Sequence, residues 1–172
     1  ENMSARKNAL RDALAFRKTR AELYPQGFID ETAKELHEGI AEYTGMTLSG
    51  WDDKGKLNFM EEKVNSSDYG NTIAWTFAYT SGVLYGYLLD KQSPGWNREL
   101  AKGADFGFLA SKKYNLVYRQ IGEDSIPVLG MPYGYDSIYI TEEARVAKSN
   151  ALQESFRQRF EDGKTLLLPN YG

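Results

Sequence analysis

From Tyr69 to Leu89 the chain carries no formal charge, between Asp68 and Asp90. A stretch of that length and polarity has two homes: a bilayer, which it is long enough to span, or the middle of a helical protein. It contains Gly82-Val83-Leu84-Tyr85-Gly86, a GxxxG spacing of the kind that lets helices approach closely. Asn71, Thr72, Thr76, Thr80 and Ser81 interrupt its apolar character, and no basic cluster flanks it. Both features favour a buried central helix over about 72–90, stopped by Ser93-Pro94-Gly95, and argue against a membrane span. The rest of the chain must then pack around it.

Neighbouring segments supply the packing partners. Ser4 can cap a first helix running to about Leu23, with Leu10, Ala13, Leu14 and Ala21 on one side and basic residues on the other. Tyr24-Pro25-Gln26-Gly27 ends it, since proline disfavours helical geometry in the residue before it. A second helix from Ile29 to about Gly45 places Ile29, Ala33, Leu36, Ile40 and Tyr43 at alternating spacings of four and three, one apolar face. Trp51 to Lys56 reads as a surface turn, and a short helical stretch is expected over 97–109. Ile126 to Tyr135, rich in Gly, Pro and Tyr, reads as an ordered loop, followed by a long final helix over 136–161. Thr165 to Pro169 reads as a short strand. The expected fold class is mostly α: one helical domain over 1–172, of about five helices with a short C-terminal strand.

Composition narrows the chemistry. The 172 residues include no cysteine and one histidine, His37. A disulfide scaffold, a thiolate zinc site and a cysteine nucleophile are excluded, and a site needing two imidazoles cannot be built from this sequence alone. The balance of 21 Lys+Arg against 24 Asp+Glu argues against a nucleic-acid partner. There is no phosphate-binding glycine loop, no dinucleotide fingerprint and no GxSxG elbow. The aromatic residues, 13% of the chain, could pack a core or line a sugar site.

The second helix is the most informative segment. Glu31, Glu35, Glu38 and Glu42 are spaced four, three and four, so a regular helix carries four carboxylates on one stripe. Such a stripe is either a solvated acidic face, at a cost of a few tenths of a kcal/mol per like-charged pair, or part of it faces a cation or a catalytic cavity. Gly39 shifts the weighting. A glycine inside a good helix costs about 1 kcal/mol relative to alanine, which points to close approach of another group beside Glu38.

His37-Glu38-Gly39-Ile40-Ala41-Glu42-Tyr43 resembles the Asn-Glu-Gly-Phe/Leu-Ala-x-Tyr segment of gluzincin metallopeptidases. In that group an H-E-x-x-H helix supplies two histidine zinc ligands and a water-activating glutamate, and the Asn-Glu-Gly helix supplies the third ligand. The resemblance implies that Glu38 is the zinc ligand and that His37 replaces the usual asparagine. His37, Glu42 and Tyr43 would then lie beside the ligand or line the cleft. Downstream, Tyr79-Thr80-Ser81-Gly82 and the apolar run to Asp90 are similar to the Tyr-x-x-Gly helix of aminopeptidase-like gluzincins. There the tyrosine hydroxyl stabilises the oxyanion, a contribution of about 3 kcal/mol for a good donor. Tyr79 would be that residue; equally, it could be one core tyrosine among 12. Ala78, Gly82 and Gly86 form a smooth strip at four-residue spacing beside it, along which another helix can approach. Over Ala13–Arg17, Leu36–Gly45 and Phe77–Asp90 the chain resembles bacterial gluzincin-like proteins of unassigned substrate.

The H-E-x-x-H helix is absent from the sequence. The resemblance therefore implies the C-terminal portion of a longer peptidase, whose missing segment lies before Glu1, or a domain that kept the scaffold and lost the metal. Zinc is expected only in the full-length protein, with a peptide as substrate, and the chain alone is expected to be inactive. The alternative from another class is a non-catalytic helical domain that binds a protein or glycan partner. It expects Glu38 exposed and Tyr79 buried among helices, well away from it. Localisation in the periplasm or outside the cell is favoured for a hydrolase of this kind.

Overall fold

The computed structural model describes residues 3–66 and 73–163. They are mostly α-helical, and no strand occurs among them. The strand expected at Thr165–Pro169 lies outside the described residues. The chain divides into two compact units, Glu1–Gly122 and Glu123–Gly172.

The first unit is built around the charge-poor segment. Helix α1 spans Met3–Leu23, α2 Pro25–Lys34, α3 Ile40–Leu48, α4 Asp53–Ser66, α5 Ile73–Gln92 and α6 Phe106–Tyr114. A π-helical turn, Glu35–Gly39, joins α2 to α3, and a 3₁₀ turn, Trp96–Glu99, follows α5. Helix α5 packs against α2, the π turn, α3, α4 and α6, which makes it the axis of the unit. Its Ala78, Val83 and Leu89 are fully buried. No helix among the described residues is long and apolar enough to cross a membrane. The core continues through Leu10 and Leu14 of α1, Tyr43 and Met46 of α3, and Phe106, Ala110 and Tyr114 of α6. Trp96 sits between Tyr43 and Phe106, with ring centroids 5.7 and 5.6 Å away. Burying each such large apolar side chain contributes about 1.5–3 kcal/mol.

Local chemistry explains where the elements depart from the sequence expectations. Pro25 ends α1 as expected, but it also opens α2, so Gln26 and Gly27 are helical and form no turn. At the first helical position its missing N–H would have had no partner, and its fixed φ suits the helix. Trp51–Lys56 is not a surface turn throughout, because α4 begins at Asp53. The Asp52 carboxylate accepts from the Gly55 N–H at 2.8 Å and caps it. The helix expected over 97–109 is replaced by the 3₁₀ turn and a later start at Phe106, where Asp105 Oδ1 accepts from the Gly107 N–H at 2.9 Å.

In the second unit the expected loop over 126–135 is largely helical: α7 covers Ser125–Gly130 and a 3₁₀ turn covers Met131–Tyr133. Pro127 falls within the first turn of α7, where helix N–H groups lack intrahelical partners in any case. Helix α8, Tyr135–Glu161, matches the long final helix, and the rings of Tyr135 and Tyr139 stack at 5.7 Å along it.

Candidate functional site

The close approach signalled by Gly39 is a backbone crossing. A Cβ on Gly39 would lie 2.7 Å from the Ala78 carbonyl oxygen and 2.8 Å from the Gly82 Cα, so nothing larger than hydrogen fits without moving α5. Further along, a Cβ on Gly86 would meet the Tyr43 ring. The strip Ala78, Gly82, Gly86 is therefore the seat of the second helix.

At that crossing the second helix is irregular. The Ile40 N–H bonds to the Glu35 carbonyl, an i→i+5 bond that widens one turn. Because the wide turn takes more residues per revolution than the 3.6 of an α-helix, the single carboxylate stripe is split. Glu31 and Glu35 face α1, Glu38 is exposed, and Glu42 forms an ion pair with Lys63 of α4. A four-carboxylate face thus does not form, although the spacing in the sequence is regular.

The inward half of the split stripe is a buried ionic cluster. Arg17 is 2% exposed and Glu35 0%. Arg17 Nη1 and Nη2 donate to the two Glu35 oxygens at 2.8 and 2.6 Å, and the Ser81 hydroxyl donates to Oε1 at 2.5 Å. Arg17 also donates to Glu31 at 2.9 Å and to Asp105 at 3.0 Å. Arg20 chelates Glu31 at 2.6 and 2.9 Å, and the Tyr118 hydroxyl donates to Asp105 at 2.9 Å. Burial pulls the Arg17 guanidinium down, but the Glu35 carboxylate more than offsets it and holds the arginine charged far above neutral pH. Burial pushes the Glu35 carboxyl up from its ordinary value, opposed by Arg17 and Ser81. Sequence reasoning assigned Arg17, Ser81 and Asp105 no role, although Leu10, Leu14 and Arg17 fall at spacings of four and three on the apolar side of α1. An arginine in that register needs buried acceptors.

The outward half holds the residues that the sequence singled out. Glu38 is exposed and Tyr79 is 36% exposed. Tyr79 lies near the Glu38 carboxylate, and interaction with that carboxylate, with the charge of Glu42 adding to it, pushes the phenol above its ordinary value. His37 is exposed on the same turn. Tyr43 is elsewhere: it is a core residue against Trp96 and Gly86, and burial pushes its phenol up. Tyr79 thus lies near enough to Glu38 and Glu42 to feel their charge, whereas Tyr43 belongs to the core.

Glu38 offers one oxygen donor set at an exposed position, which fits a single ligand of a hydrolytic zinc site. Among the described residues no group of three or more His, Cys, Asp or Glu side chains could hold a metal ion. Further ligands would have to come from another segment. No protein-family model, curated protein or solved structure matches the chain.

Proposed function

We propose that this chain is the C-terminal helical part of a zinc-dependent peptidase of gluzincin type, with Glu38 as a zinc ligand and Tyr79 as the oxyanion-stabilising donor. The observation that carries the reading is their placement: far apart in sequence, on two helices that cross at Gly39 and Gly82, both are exposed beside that crossing. The interaction-domain reading expects Glu38 exposed, as it is, and Tyr79 buried away from it; the exposure of Tyr79 near Glu38 supports the peptidase reading.

Zinc, when bound, would polarise the peptide carbonyl and lower the pKa of a water to about 7. The chain's own residues would do three things. Glu38 would hold the metal through a carboxylate oxygen, with the two imidazoles coming from an H-E-x-x-H segment outside this sequence. Tyr79, its phenol kept protonated beside two carboxylates, would donate to the carbonyl oxygen as negative charge develops there. Glu42, paired with Lys63, would leave its neighbour Glu38 the freer carboxylate of the two.

The test is made in a protein that joins this chain to such a histidine segment. Glu38→Gln should remove zinc by elemental analysis, whereas Tyr79→Phe should keep the metal and lower kcat by roughly 100-fold, the scale of one lost oxyanion donor. Full zinc content and unchanged turnover in both variants would reject the assignment.

A further inference from the structure

We propose that Glu35 is a positioning residue: clamped by Arg17 and Ser81, it holds the wide turn Glu35–Gly39 in place and thereby turns Glu38 outward, on the side of the crossing where Tyr79 is exposed. The inference rests on Glu38 as a ligand for its functional meaning, but its structural content stands on the chain alone. Both ends of the turn are fixed to α5. At the first residue, the Glu35 carboxylate takes the Ser81 hydroxyl at 2.5 Å and the two Arg17 nitrogens at 2.6 and 2.8 Å. At the last, Gly39 lies on the backbone of Ala78 and Gly82. Tyr79 sits between these anchor points on α5, and Glu38 sits between them on the turn.

Geometry makes the clamp matter. In a regular α-helix, residues three apart share a face, so a fully buried Glu35 would draw Glu38 toward the interior with it. The i→i+5 bond from Ile40 to Glu35 removes that constraint, leaving Glu35 inward and Glu38 outward. A π turn is rare and is kept where surrounding contacts enforce it, often at functional sites. The contacts at its ends are the clamp on Glu35 and the crossing at Gly39, and of these the clamp is the one that draws Glu35 inward. Glu31 also binds Arg17, yet it lies in α2 before the turn, so it shares the ionic cluster without sharing the positioning role.

The experiment is NMR on the metal-free full chain, reading Cα and carbonyl shifts over 35–39 and the NOE between the Glu38 side chain and the Tyr79 ring. Glu35→Leu, which leaves Arg17 paired with Glu31 and Asp105, should shift the turn toward α-helical values and cut the NOE at least twofold. Ser81→Ala should do the same to a smaller extent, and it decides the matter if Glu35→Leu does not fold. Glu31→Gln should lower Tm and leave both signatures intact. Unchanged shifts and NOE in the Glu35 variant, or in Ser81→Ala where that variant is unfolded, would overturn the proposal. So would equal loss in Glu31→Gln, since the cluster would then act only as general support. Because no zinc is involved, this outcome is independent of whether Glu38→Gln releases metal in a histidine-bearing protein.

Discussion

Arg17 lies on the apolar side of α1 and is 2% exposed, and the polar interior of the first unit follows from that one placement. A guanidinium there strands charge unless carboxylates come to meet it, and three do: Glu31, Glu35 and Asp105. None of the three was recognisable as a partner in the sequence, because ion pairs between distant positions leave no periodicity. Gly39 was recognisable, because a glycine in a helix interior has a local cost that needs a local reason. The ring of Tyr85 lies 5.2 Å from the Arg17 guanidinium. Burial pushes its phenol up to about 12, with Arg17 opposing the shift and Glu35 adding to it. A folded pKa raised above the ordinary value near 10 contributes stability that is complete below about pH 10 and is lost as pH rises toward 12. At about 1.4 kcal/mol per unit, the loss over that window is roughly 3 kcal/mol. Urea unfolding of the wild type and Tyr85→Phe at steps between pH 9 and 12 checks this. The stability difference between them should narrow or invert by that amount, and parallel pH profiles would refute it.

At the scale of elements, apolar periodicity revealed which helices exist, and capping chemistry decided where they begin. Helices α1, α5 and α8 were legible because they are long and bounded by evident stops. Helix α4 was missed because Asp52 and Asp53 read as turn residues, when Asp52 is the cap that starts it. The π turn was illegible for a deeper reason. Glu31, Glu35, Glu38 and Glu42 keep α-helical spacing, and only the joint demands of Arg17 on one side and the Gly39–Gly82 crossing on the other split them. That crossing can be tested directly. Gly39→Ala forces a methyl group against the Ala78 carbonyl, and overpacking of this kind costs about 1–3 kcal/mol. Denaturant unfolding should show a lower midpoint with unchanged slope. Gly45→Ala on α3, where no atom lies within 4 Å of the added Cβ, should be neutral or slightly stabilising. Equal midpoints for the two variants would mean that the helices do not meet as closely as described.

On the scale of the whole molecule, the mostly helical character was legible and the division into two units was not. No linker of unusual composition marks Gly122–Glu123, so the sequence reads as continuous across it. The division shows in where burial falls. Among the described residues, the buried large apolar side chains, from Leu10 to Tyr114, belong to the first unit, as do the ionic cluster and the Glu38–Tyr79 pair. A core whose described members all lie within 1–122 should be sufficient for folding, since burial of apolar surface is the dominant favourable term. Chain 1–122 is therefore expected to melt cooperatively, to keep a single set of dispersed amide resonances, and to retain the NOE between Glu38 and Tyr79. Loss of cooperative melting in 1–122 would show that residues 123–172 complete the core. Retention of melting without the NOE would show that they complete the site. Either result would move the candidate zinc ligand out of the first unit's own architecture, because the wide turn that aims Glu38 would then depend on more than Arg17, Glu35 and Ser81.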